Sequence, residues 1–207
     1  MGGRHDPIMT SSLTIQDHTT NNITAVPWPA RHLGLLTALA GTAWLALGLE
    51  SIIRPEQHNY RDTVMNVPWL LTLAVVFGIH QRQRHRNGRL ERWGFVGVVV
   101  SMIAAVGLVL PQSVGAIDTI FALTVPAWIL SMFAFGIGTA RAGVFPRWVG
   151  VGLAISELLT MGAAAAMSPW IPLRDRGSFS GAVAHGIVFL SIAVAINRDS
   201  ATRDARD

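Results

Sequence analysis

Neither cysteine nor lysine occurs in the 207 residues, and only 14% of the side chains are charged. Without thiols the chain forms no disulfide, thiolate metal site, iron–sulfur cluster or covalent haem link, and has no cysteine nucleophile. Without lysine it holds neither a retinal Schiff base nor a pyridoxal phosphate aldimine. All sixteen basic side chains are therefore arginine. Exposed Arg and Lys exchange freely outside bidentate or stacked sites, so the bias is read as genomic base composition rather than design. The pI of 11.2 follows from those arginines and gives no ground for nucleic-acid binding.

What is present is apolar: 51% of residues are hydrophobic and the mean hydropathy is +0.43. That balance is too apolar for an ordinary soluble domain and points to a membrane protein. Residues 1–30 read as a disordered, polar cytoplasmic tail, without the apolar core of a secretory signal. Six apolar segments follow, near 32–53, 65–82, 91–111, 116–140, 145–168 and 179–197, each close to the length that spans a bilayer. Residues 199–207 form a second polar tail. In lipid every backbone polar group must be satisfied internally, and the segments lack the alternation of a membrane barrel. The expected fold is all-α: a polytopic membrane protein with a bundle of six transmembrane helices over 31–198.

Arginine placement sets the expected orientation in the cell membrane. With both termini cytoplasmic, Arg4, Arg31, Arg82, Arg84, Arg86, Arg89, Arg92, Arg141, Arg147, Arg198, Arg203 and Arg206 lie inside. Only Arg54, Arg61, Arg174 and Arg176 then lie outside, which satisfies the positive-inside rule. The basic stretch from Gln81 to Arg89 has the charge to meet anionic headgroups or nucleic acid, but its plainer role is to fix topology. Arg92-Trp93-Gly94 and Arg147-Trp148-Val149-Gly150 begin two of the segments alike, and Arg31-His32-Leu33-Gly34 begins a third. Interface physics accounts for this as well as duplication does: arginine at headgroups, an aromatic ring in the belt and glycine for close packing.

Glu157 is the one charged residue between Trp148 and Met167. Stepping by three or four from it meets Gly150, Ala154, Thr160 and Ala164, a stripe of small residues of the kind along which membrane helices approach one another. Ten residues from Arg147, it sits roughly 15 Å into the hydrocarbon. A carboxyl there is neutral, paired or working. His185 in the last segment falls only a few ångströms away in depth, so Glu157 and His185 are the candidate catalytic pair. The alternative for each is a satisfied structural residue. Glu50 ends the first segment, where the helix dipole disfavours an anion, and Arg54 one turn on is its simplest partner. Asp118 reads as a helix cap or as a pocket residue, and Ser178 or Ser180 as a cap of the last helix; the spacing around Ser180 does not suit a serine–histidine pair. Gly34, Gly41 and Gly48 form a heptad that reads as packing chemistry.

Glu50, Asp118, Glu157 and His185 all fall between the midplane and the outer surface. A pocket walled by Trp44, Trp69, Phe121, Trp128 and Met161 with those polar groups suits a lipophilic small molecule, although the same aromatics also serve as belt or core. Three functions remain open: an intramembrane acid–base enzyme on an isoprenoid or lipid, a substrate-capture or transport subunit, and a scaffold whose polar groups only hold helices together. No cofactor is expected, and no metal, because no two candidate ligands share a helix at i, i+3 or i+4. The expected partners are the bilayer, a lipophilic small molecule and either a second copy or another membrane protein.

Overall fold

A computed structural model of the chain describes residues 28–55, 60–109, 114–171 and 179–204. Among the described residues the secondary structure is all helix. The elements are α1 (Trp28–Arg31), α2 (Leu33–Ile53), α3 (Tyr60–Val64), α4 (Asn66–Gln83), α5 (Arg89–Val109), α6 (Val114–Ala142), α7 (Arg147–Met167) and α8 (Ala182–Asp204). The six longest fall on the six apolar segments. Their ends follow local chemistry. Pro68 lies in the first turn of α4, where its missing N–H would have no partner within the helix. Gly143, at φ 64°, turns the chain out of α6 in a left-handed conformation that costs a glycine nothing. Pro146 then precedes the first turn of α7 and accepts the amide of Val149. In α8 the helix runs past the apolar segment to Asp204, with the hydroxyls of Ser200 and Thr202 donating to the carbonyls of Ile196 and Arg198.

Glycines set how these helices meet. A Cβ on Gly34 would strike Asn197, one on Gly41 Leu190, and one on Gly48 Val183, so α2 and α8 run antiparallel with their backbones in contact. The heptad is packing chemistry, as its spacing implies. Gly94 and Gly97 on α5 lie against Phe135 and Ser131 of α6, and Gly136 of α6 interlocks with Gly150 of α7, again antiparallel. The two Arg-Trp-Gly starts share this physics: Trp93 and Trp148 are exposed while Gly94 and Gly150 each touch the α6 backbone. Such close approaches let dispersion and backbone contacts hold helices together without a large apolar interface.

The core gathers Leu33, Leu36, Val75, Ile79, Val98, Met132, Phe135, Val149, Leu153, Phe189 and Ile192 from every long helix. The outward faces are apolar too, with Leu35, Ile53, Val100, Ile103, Leu123, Leu130 and Val194 exposed. A soluble protein hides such faces, whereas a bilayer receives them. Among the described residues four helices are long and apolar enough to cross a membrane: α2, α6 over Leu123–Ala142, α7, and α8 as far as Thr202. Helical throughout its described elements and apolar on its outward faces, the chain is a membrane-associated protein.

The alternation of glycine contacts makes a prediction. In Gly41→Leu the new Cβ would begin 2.8 Å from the Leu190 amide nitrogen, and overpacking of this kind costs about 1–3 kcal/mol. Gly162 meets nothing within 4 Å, so Gly162→Ala gains roughly the helix propensity of alanine, up to about 1 kcal/mol. Thermal melts in detergent should move in opposite directions for the two variants.

Candidate functional site

Glu157 lies in the middle of α7, one turn before Thr160. The Thr160 hydroxyl donates to the Ser156 carbonyl at 2.8 Å, a common back-bond for a β-branched hydroxyl inside a helix. Its single proton spent, that oxygen can only accept from His185 Nδ1, 3.3 Å away on α8. Gly181, whose Cβ would collide with the Thr160 carbonyl, lets the start of α8 lie flat on α7 and so brings His185 to this level. Glu157 Oε1 lies 3.6 Å from the same Nδ1. The indole N–H of Trp128 on α6 donates to that carboxyl oxygen at 2.7 Å.

These contacts fix the imidazole. Nδ1 carries a proton and faces Thr160 and Glu157, which leaves Nε2 as the free lone pair of a neutral ring. His185 is only 2% exposed, and Nε2 has no hydrogen-bond partner among the described residues. The ring is flanked by aromatics, stacked on Phe189 at 4.6 Å and tilted against Trp44 at 4.8 Å. Trp44 in turn donates its indole N–H to Thr72 Oγ1 at 2.9 Å, and Trp69, one turn before Thr72 on α4, stacks with Trp128 at 6.4 Å. The contacts thus close into a ring through five helices: α4, α2, α8, α7, α6 and back to α4.

Of the residues singled out from sequence, Glu157, His185, Trp44, Trp69 and Trp128 are brought together. Met161 is not; it is 56% exposed on the outer face of α7. The side chains of Asp118 and Phe121, and all of Ser178, lie outside the described residues. Ser180 precedes α8 and its carbonyl accepts from the Val183 amide; its hydroxyl is buried with no hydrogen-bond partner among the described residues.

Glu50 belongs to a separate knot at the end of α2. Arg61 of α3, 1% exposed, forks onto both oxygens of the Glu50 carboxylate, and the Tyr60 hydroxyl donates to it as well. Arg54, the partner suggested by spacing, instead offers its backbone carbonyl to Arg61 at 2.6 Å. A bidentate fork from a planar guanidinium is a better match for a carboxylate than a neighbour one helical turn away. The hydrogen bond to Glu50 holds the Arg61 guanidinium above its ordinary range despite burial, so Arg61 stays charged at any pH the fold survives.

A second buried carboxyl was not singled out from the sequence. Glu91, 0% exposed in the first turn of α5, meets His80 Nδ1 at 2.7 Å and Gln83 Nε2 at 3.0 Å. Gln83 also donates to Thr139 Oγ1 on α6 at 3.1 Å. His80 stacks on Phe95 at 3.9 Å with the ring planes nearly parallel. One signal pointed there: Glu91 is the only carboxylate between Asp62 and Asp118.

Among the described residues no three His, Asp or Glu side chains gather as metal ligands. The ring can instead offer a neutral imidazole lone pair backed by a carboxyl group, which is acid–base and hydrogen-bonding chemistry. No family model matches the chain, and no curated protein or solved structure matches it.

Trp128→Phe keeps the ring against Trp69 and removes only the donor to Glu157. It should lower stability by about 1–3 kcal/mol, the cost of stranding a buried acceptor. A denaturation midpoint shifted by no more than an exposed surface change would show that Trp128 does not hold this carboxyl.

Proposed function

We propose that the chain is a multi-pass membrane protein of six crossings whose Glu157–His185 pair binds a lipophilic small molecule and exchanges a proton with it. Support for six crossings comes from the antiparallel alternation: if α2, α6, α7 and α8 cross, the α4 and α5 helices packed among them are carried across too. That alternation gathers Arg31, Arg82, Arg84, Arg86, Arg89, Arg92, Arg141, Arg147 and Arg198 at one end and Arg54 and Arg61 at the other. By the positive-inside rule the first end is cytoplasmic, and both termini with it.

The observation that carries the reading is the unpartnered Nε2 of His185. A purely structural pair satisfies its buried atoms, because each stranded polar atom weakens the fold. Here one face of the imidazole is fully engaged and the other holds a lone pair among Trp44 and Phe189. A ligand hydroxyl, or a substrate proton made acidic by a neighbouring group, is what such a lone pair accepts. Glu157, at 3.6 Å from Nδ1, then stabilises the imidazolium that forms. Trp128 fixes the carboxylate so that it does not swing away, and a low-dielectric setting strengthens both interactions. The apolar flanks favour an isoprenoid or lipid-like molecule over a polar one.

A capture or transport subunit would use the same lone pair for binding alone, and a scaffold would use neither. Native mass spectrometry of gently extracted protein separates the three and also reports a second copy or another membrane protein. Wild type and Glu157→Gln should carry the same small lipophilic adduct. In His185→Phe its occupancy should fall roughly 10- to 100-fold, the worth of one strong hydrogen bond at about 1.5–3 kcal/mol. Wild type without any adduct, or His185→Phe with an undiminished one, would end this reading.

A further inference from the structure

Arg89 opens α5, Arg141 lies in the last turn of α6 and Arg147 opens α7, all at the arginine-rich end of the helices. Glycine contacts put the three at one depth. α5 meets α6 where the Gly138 Cβ position falls on Glu91, and α6 meets α7 where that of Gly150 falls on Ala140, each pair antiparallel. Arg89 and Arg141 lie within one helical turn of the first contact, and Arg141 and Arg147 within one turn of the second, so all three leave the bundle at a common level.

Their charge is not neutralised. All three side chains are exposed, and among the described residues no carboxylate pairs with any of them. Glu91 is the only acid between Asp62 and Asp118, and none stands between Asp118 and Glu157. Glu91 itself is buried against His80 and Gln83. The positive dipole ends of α5 and α7 add to the same field.

Each arginine also heads an apolar lane. Trp93, Val96 and Val100 follow Arg89 on one face of α5, at four, seven and eleven residues, and all three are exposed, Trp93 at 75%. Val151 and Leu158 follow Arg147 at four and eleven residues on the exposed face of α7, and Leu130 precedes Arg141 by eleven on that of α6. Eleven residues of helix are roughly 16 Å long, against about 15 Å for half the hydrocarbon core. The lanes lie side by side because Gly94, Gly97, Gly136 and Gly150 hold α5, α6 and α7 in backbone contact.

We propose that the lipid-facing side of α5, α6 and α7 is a docking site for an anionic glycerophospholipid, with its phosphate among Arg89, Arg141 and Arg147 and its acyl chains along the lanes. A planar guanidinium takes a phosphate with two parallel hydrogen bonds, and Trp93 stands one turn below at the depth where aromatic rings meet the headgroups. A zwitterionic lipid carries its own cation and offers the arginine row no net charge. A second copy of the chain suits the lanes poorly, because a symmetric pair in the same orientation would set two arginine rows against each other at one depth. The positive-inside rule asks only on which side arginines lie, whereas the lanes beneath them give one lipid a place. The site is on the outside of the bundle and does not depend on the Glu157–His185 ring.

Native mass spectrometry of the full chain tests this, in micelles holding equal amounts of phosphatidylglycerol and phosphatidylcholine with the same acyl chains. Wild type should retain phosphatidylglycerol preferentially. Arg141→Gln should weaken that retention about fivefold, and Arg89→Gln, Arg141→Gln and Arg147→Gln together on the order of 100-fold, from the attraction of one and of three arginines to an anionic leaflet. Phosphatidylcholine retention should stay the same, and Arg54→Gln, at the other end of the bundle, should alter neither lipid. Inorganic phosphate at the concentration of the lipid should leave the complex intact, because a free ion has no hold on the lanes. Equal retention of the two lipids by wild type would overturn the proposal, as would phosphatidylglycerol undiminished in the combined variant or lowered as far by Arg54→Gln. So would its displacement by inorganic phosphate, a dimer in place of the lipid, or tighter binding of a short single-stranded DNA. The two-lipid comparison uses unaltered protein, so it decides even if the combined variant folds poorly.

Discussion

A carboxyl group enclosed by apolar helices must find a donor or keep its proton, and that requirement organises every polar feature of this molecule. Three glutamates lie among the described residues, and each meets it differently. Glu50, at the end of α2, takes the fork of Arg61 and the hydroxyl of Tyr60. Glu91 shares its Oε1 between an imidazole and an amide. Glu157 takes an indole N–H and stands beside an imidazole whose far side has no partner. The first is an ion pair, a closed arrangement that fixes α3 against α2. The other two clusters each keep a buried polar atom without a partner among the described residues, Glu91 Oε2 in one and His185 Nε2 in the other.

The glycines make these encounters geometrically reachable. The Trp128 indole and the His185 imidazole meet Glu157 only because α6, α7 and α8 run with their backbones nearly touching, at Gly136 with Gly150 and at Gly181 with the Thr160 carbonyl. The same holds at Glu91, where Gly138 admits α6 to the α5 backbone and brings Thr139 to Gln83. Close helix packing in this protein is therefore a means of placing short polar side chains as much as a source of cohesion.

How much of this the sequence disclosed depends on how local the information was. The helices were legible because apolar length is a one-dimensional property, and the Gly34, Gly41, Gly48 heptad was legible because period alone reveals a face. Glu157 stood out as one charge in an apolar run, and His185 could be matched to it by depth. Glu91 was not legible: among Arg89, Arg92 and the basic turn it resembles an ordinary solvated acid, and its partners sit eight and eleven residues back and on another helix at Thr139. Arg61 likewise lies outside the helix that carries Glu50, whereas helical spacing draws attention to Arg54. Met161 shows the opposite failure, since a position one turn from Glu157 on a helical wheel still turned outward once the neighbours of α7 were in place.

The central claim is that Glu157 and His185 form one unit with an unspent nitrogen. Its most direct test is dipolar recoupling in bilayers between the Glu157 carboxyl carbon and the two ring nitrogens of His185, read together with their protonation. The account predicts a strong coupling to a protonated Nδ1, in keeping with 3.6 Å from that nitrogen to Oε1, and an Nε2 that is unprotonated and without a bonded partner. No measurable coupling, or a proton fixed on Nε2, would contradict it.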